Sequence, residues 1–194
     1  MAFLSREALV SMGFAGLGDD VMISEKASIY GASRIAIGHH VRIDDFCVLS
    51  AGAGGIAIGD FIHIAVYTSL IGAGAIVLED FTNISSRVSI YSSNDDYSGS
   101  SMSNPMVPDA YKNVVNAPVT LGRHVIIGSG SVILPGVKLE DGVAIGALSL
   151  VKQNCEAFGV YAGNPVRRVG ERSCFLLELE QRMMRDSKLP KKTD

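Results

Sequence analysis

An aliphatic residue returns at every sixth position across residues 121–153, LGRHVIIGSGSVILPGVKLEDGVAIGALSLVKQ: Leu121, Ile127, Ile133, Leu139, Ile145 and Val151. Four residues after each stands a small or β-branched residue or a cysteine: Val125, Ser131, Val137, Val143, Ser149 and Cys155. A period of six fits neither the 3.6 of a helix nor the alternation of a lone strand. It fits a coil with three short flat sides, one hexapeptide per side and about eighteen residues per turn. The aliphatic residue then points inward on every side, and stacked coils bury one continuous apolar column.

The same pattern is legible upstream. It starts near Ile23 and Ile29, slips by two, and resumes at Ile37 (IGHHVR) and Ile43 (IDDFCV). Residues 49–57 carry three extra residues, which predicts a small corner bulge. The repeat returns at Ile58, Ile64 (IAVYTS) and Leu70, slips again, and continues at Leu78, Ile84 (ISSRVS) and Ile90. A narrow prism has little room for rings, and its corners need residues that accept positive φ. The composition agrees: of 194 residues 21 are Gly, 7% are aromatic, and Trp is absent.

Two segments escape the repeat. Residues 92–119, SSNDDYSGSSMSNPMVPDAYKNVVNAPV, are polar and read as a single loop extruded from an intact solenoid. Loops of that length are usually functional or disordered; Tyr97, Met102, Met106 and Tyr111 give this one apolar anchors. After Cys155 the chain leaves the prism, and a helix is predicted over 172–187. Phe175, Leu176, Leu179 and Met183 form its apolar stripe, and Glu178 and Arg182 are spaced as an i,i+4 pair. At the other end, 5–12 predicts a short helix, capped by Ser5 and ended by Gly13, that lids the first coil. The resulting division is an N-terminal cap (1–20), a solenoid (21–170) and a C-terminal helix with a disordered tail (171–194).

Net charge is −3 without a large basic block, which argues against nucleic acid as a partner. Cys47, Cys155 and Cys174 lack metal-like spacing, and the first two fall on inward positions as core thiols. No stretch reads as a signal peptide or reaches membrane-spanning length, so no membrane insertion and a cytoplasmic location are expected.

These repeats, with the run PVTLGRHVIIGSGSVILPGV, the segment IGALSLV and the exit YAGNPVRRV, resemble the hexapeptide-repeat acyltransferases, and among them the sugar acetyltransferases. The resemblance implies an all-β solenoid, a left-handed parallel β-helix with an extruded loop and a C-terminal α-helix. Left-handed winding comes from the resemblance alone, because parallel strands otherwise favour right-handed crossovers. It further implies a homotrimer with sites in the grooves between subunits, and acetyl-CoA as co-substrate without a metal. The acceptor it implies is a sugar hydroxyl or amine on a nucleotide-sugar or surface-polysaccharide building block.

Carried over by position, the resemblance puts Ser129, Ala147, Lys152 and Arg167 at coenzyme A. Small side chains at 129 and 147 let the pantetheine arm reach backbone, while Lys152 and Arg167 meet phosphates. Sugar acetyltransferases of this kind carry a catalytic His just before the loop; here that stretch reads Ser93-Asn94-Asp95-Asp96, with Asp95 in its place. His39, His40 and His124 read as solvent-facing corner residues. His63 instead follows inward Ile62 on a flat side and should project outward, in a column with Arg42 and Asn83. The candidate catalytic residues are therefore His63, Asp95 and Asp96, with Asn83, Asn94 and Tyr97 on the substrate. An amine acceptor needs less help from a protein base than a hydroxyl. Two other readings stay open: a trimeric scaffold without catalysis, and a zinc enzyme of the γ-carbonic-anhydrase type, which needs three converging histidines.

Overall fold

The computed structural model describes residues 2–186; the disordered tail expected from sequence, and position 187 of the expected helix, lie outside them. The hexapeptides wind into a three-sided prism of stacked parallel strands. The first face holds Ile35–Ile37, Ile56–Ile58, Ile76–Leu78 and Val119–Leu121 in register. The second holds Val41–Ile43, His63–Ile64, Asn83–Ile84 and Ile126–Ile127. The third holds Val48–Ala51, Ser69–Gly72, Ser89–Tyr91 and Val132–Ile133.

The six-residue period produces this architecture because each aliphatic residue reaches the axis. Leu121, Ile127, Ile133, Leu139 and Val151 are fully buried and Ile145 nearly so, as are Val125, Ser131, Val143 and Cys155 four residues on. Cys47 and Cys155 are buried free thiols that burial pushes up to about 11, so they are inert core residues.

Two of the corners turn through left-handed residues. Between the first and second faces these include His40, Phe61, Phe81 and His124, with φ of 56°, 57°, 62° and 59°. Such conformations are unfavourable for large side chains, and ring stacking offsets the cost. The four rings form one column with centroid spacings of 4.6, 5.0 and 4.7 Å.

The third corner absorbs every irregularity of the repeat. The slip after Ile29 is a short 3-10 turn, Ala32–Arg34, and the extra residues after Leu49 form the expected bulge at 52–55. Gly52 and Gly54 are required there, since a Cβ would lie 2.5 Å from the Cα of Ala73 and 2.3 Å from the nitrogen of Ala75. The long insertion leaves from this same corner, after Tyr91, on an antiparallel stem of Ser93–Asn94 with Val115–Asn116. The loop is thus the largest of a stacked series of third-corner insertions.

Both ends are covered. Helix α1 (Arg6–Ser11) is capped by the Ser5 hydroxyl, which accepts from the Ala8 amide at 3.2 Å, and it buries Leu9 on the first coil. At the exit, Gly159–Gly163 joins the second face and Val166–Glu171 folds back antiparallel to it. Arg172, expected to open the last helix, instead continues this pairing, its amide donating to the Phe158 carbonyl at 2.7 Å. Helix α2 therefore begins at Phe175, where the Ser173 hydroxyl accepts from the Phe175 amide, and runs to Asp186.

Candidate active site

Helix α2 lies along the corner between the first and second faces, where Leu176, Leu179 and Met183 face Phe81 and His124. The Glu178–Arg182 pair expected from sequence does not form. Arg182 lies over the Phe175 ring, and Glu180 instead bonds Arg123 and the Nε2 of His124, the latter at 2.6 Å. His124 is consequently covered by the helix and does not face solvent, with 11% of its side chain exposed.

The second face carries a different patch. Arg42, His63 and Asn83 are successive cross-strand partners, as the repeat register predicts. The Nε2 of His63 lies 2.9 Å from the Oδ2 of Asp44, and the other oxygen of that carboxylate accepts from the Nε of Arg42 at 2.7 Å. Asp44 is nearly buried. Burial by itself would raise its pKa, but the hydrogen bonds and charges of His63 and Arg42 outweigh this and hold it below the usual carboxylate range.

Asp44 is the residue that sequence reasoning missed, and the backbone ladder at the second–third corner explains its place. The amides of Asp44, Ala65, Ser85 and Gly128 donate in turn to the carbonyls of Ile64, Ile84, Ile127 and Ile145. Those four residues therefore form one column, and Asp45, Val66, Ser86, Ser129 and Ala147 form the next. The left-handed positions beside them are Phe46, Tyr67, Arg87, Gly130 and Leu148. Going down this corner the triplets read Asp-Asp-Phe, Ala-Val-Tyr, Ser-Ser-Arg, Gly-Ser-Gly and Gly-Ala-Leu, so the first two columns carry only small side chains in the last two coils. A Cβ on Gly128 would sit 2.4 Å from the Ala147 nitrogen, so the backbone is bare by necessity where Ser129 and Ala147 are exposed.

The remaining sequence-predicted residues lie elsewhere. Asn94 is in the loop stem, Asp95 is exposed just beyond it, and Tyr97 is 88% exposed. Asp96 accepts from the Ser98 amide and from the hydroxyls of Ser98's neighbours Ser100 and Ser101, at 2.8, 2.9 and 2.7 Å. Hydrogen bonds from the Ser98 and Ser101 side chains and from backbone hold its carboxyl far below the usual range, so it organises the loop and is a poor proton acceptor. Asp95 has no such partner among the described residues. The loop's expected anchors do not pack on their own prism, Met106 being 90% and Tyr111 63% exposed. Lys152 and Arg167 are exposed without ion pairs among the described residues, whereas Arg168 is engaged by Glu156 and Glu171.

The corner that extrudes the loop is opposite the second face. Asp95 and Tyr97 therefore leave the prism on the side away from His63, Asp44 and Asn83.

Residues 118–153 match the model of the bacterial transferase hexapeptide (six repeats). The chain is 59% identical over 180 residues to the dTDP-4-amino-4,6-dideoxy-D-glucose acyltransferase of Escherichia coli, covering 93% of this chain and 94% of that enzyme. It belongs to the hexapeptide-repeat acyltransferases. AntD, an N-acyltransferase from Bacillus cereus solved with dTDP and 3-hydroxybutyryl-CoA, superposes with a TM-score of 0.93 at 44% identity, over 96% of this chain and 98% of that one. Other AntD structures hold dTDP or dTDP-4-amino-4,6-dideoxyglucose with coenzyme A, in variants of one aspartate or of one serine ten positions before it. A more distant relative, the putative lipopolysaccharide biosynthesis O-acetyl transferase WbbJ of Escherichia coli, is 27% identical over 75% of this chain and 72% of its own. The chain is thus an acyltransferase with the left-handed β-helix of that family. Among the described residues no helix is long and apolar enough to cross a membrane.

Proposed function

We propose that this enzyme transfers an acyl group, acetyl in the simplest case, from acyl-CoA to the amine of a nucleotide-linked 4-amino-4,6-dideoxy sugar. The observation that carries this reading is the 59% identity, over nearly the whole of both chains, to an enzyme acting on the dTDP-linked sugar. Amine acylation also accounts for the aspartate that stands where sugar O-acetyltransferases carry a histidine.

The bare corner at Gly128, Ser129 and Ala147 suits the pantetheine arm, with Lys152 and Arg167 available to the coenzyme's phosphates. The acceptor then lies over Asn83 and Ser85, under Asn94 and Tyr97 of a neighbouring loop in a homotrimer. Exposed Tyr97, Met106 and Tyr111 support a loop that is covered by another copy. In the reaction the sugar nitrogen forms a bond to the thioester carbon, the carbon–sulfur bond breaks, and one proton leaves the nitrogen while the thiolate gains one. Asp95 is the proton acceptor in this scheme. Its carboxylate has no partner among the described residues, and it follows Ser85 by the same ten positions that separate the paired residues varied in AntD. Ser86 and Asp96 share that spacing, but Asp96 is consumed by its own loop. His63 has the lesser part of orienting the sugar, since its Nε2 is already committed to Asp44. Both substrates are cytoplasmic metabolites in kind, which is the compartment this reading assigns.

Calorimetric titration with acetyl-CoA and with free coenzyme A tests the donor. Micromolar binding at about one site per chain is expected; binding of neither would overturn the assignment of acetyl-CoA as the donor.

A further inference from the structure

Nucleotide-sugar transfer brings two diphosphates to one groove, and Lys152 and Arg167 account for the coenzyme's. Arg87 is a third exposed cation without a hydrogen bond or ion pair among the described residues. It occupies a left-handed corner position with φ of 59°, in the column where the coil below has Gly130. Its guanidinium nonetheless rests on a ring. It lies 5.3 Å over the Tyr67 ring, which stacks on Phe46 at 5.0 Å and 15°, and the far face of Phe46 is covered by Lys26, itself paired with Asp45. A cation–ring–ring–cation stack thus holds Arg87 from above, and its donors are left unused. The hydroxyls of Ser85, Ser86 and Ser129, in the adjoining columns, also have no protein partner among the described residues. An arginine held on a ring beside free hydroxyls is suited to a phosphate group.

We infer that Arg87 is a specificity-determining residue that binds the diphosphate of the nucleotide-sugar acceptor, and that Tyr67 positions it. The inference rests on the acyl-transfer reading above. The acceptor is favoured over the coenzyme by covalent geometry. In coenzyme A the long pantetheine arm separates the diphosphate from the thioester. In a nucleoside diphosphate sugar only the pyranose ring separates the diphosphate from a C4 amine. Arg87 is on the same coil as Asn83 and Ser85, next to the reacting end of the arm, so the diphosphate within its reach is the acceptor's.

The test is calorimetry of the full-length protein with dTDP and, separately, with coenzyme A, for the unaltered chain, Arg87→Gln and Arg87→Lys, with the oligomer mass of each measured by light scattering. Loss of a charge-assisted contact should weaken dTDP roughly ten- to hundredfold in Arg87→Gln and less in Arg87→Lys, with coenzyme A affinity and mass unchanged. Equal dTDP binding in Arg87→Gln would overturn the assignment. So would a loss confined to coenzyme A, or a change of oligomer mass, which would make Arg87 an interface residue. If the unaltered protein binds neither ligand, the proposed transfer to a nucleotide sugar falls and this inference with it; if it binds both and the variants behave alike, only this inference falls.

Discussion

His63 and Asp44 come from neighbouring coils of the second face and meet through Nε2 and Oδ2 at 2.9 Å, with Arg42 closing on the other oxygen at 2.7 Å. The pair fixes the outward imidazole above a nearly buried carboxylate. Because the Asp44 carboxyl is held below its usual range, its contribution to stability is full above the unfolded carboxylate value. It is lost as pH falls through the lower folded value. Asp44→Asn should cost about 2 kcal/mol at pH 7 and progressively less below pH about 4. Thermal melts of both proteins across that range check this; a difference independent of pH would contradict it.

Proton transfer separates three acidic and basic candidates. General-base removal typically costs about 10²- to 10⁴-fold, so Asp95→Asn should lose at least a hundredfold in kcat with acetyl-CoA binding intact. His63→Ala should lose roughly tenfold, the scale of one lost hydrogen bond to substrate. Asp96→Asn should act by loosening the Ser98–Ser101 turn, seen as faster proteolysis within 92–118. Steady-state kinetics in which His63→Ala falls further than Asp95→Asn would move the base to His63.

A site shared between copies predicts complementation. Ser129→Trp fills the exposed corner of one chain, and Asp95→Asn disables the loop of another. Each variant alone should be nearly inactive. Co-expressed as mixed oligomers they should recover activity, because some interfaces then pair an intact corner with an intact loop. No recovery in mixed oligomers isolated by two affinity tags would place all the residues in one chain's own site.

Glu180 ties α2 to the prism through Arg123 and His124. Glu180→Gln should lower stability by about 1–2 kcal/mol and expose α2 to protease. An unchanged melting temperature would show that Leu176, Leu179 and Met183 hold the helix without it.

The prism was legible because each inward aliphatic residue recurs at a fixed interval, and every slip in that interval falls at one corner. The second-face column was legible for the same reason, since Arg42, His63 and Asn83 share a repeat position. Asp44 was within reach too: aligning IDDFCV, IAVYTS, ISSRVS and IGSGSV puts Asp44 above Ala65, Ser85 and Gly128. The docking of α2 was not legible. Its helical period marks an apolar stripe, but the choice of Glu180 over Glu178 as the paired residue depends on where the exit hairpin releases the chain. Nor does periodicity say that Tyr97 and Met106 stand out from their own prism, because the insertion that carries them lies outside the repeat.

The most direct measurement is thiol release from acetyl-CoA in the presence of dTDP-4-amino-4,6-dideoxyglucose, with mass spectrometry of the sugar product. Amine-dependent release matched one-to-one by N-acetylated nucleotide sugar is the expected result. Binding of coenzyme A without release, on this sugar and on other nucleotide-linked amino sugars alike, would contradict it.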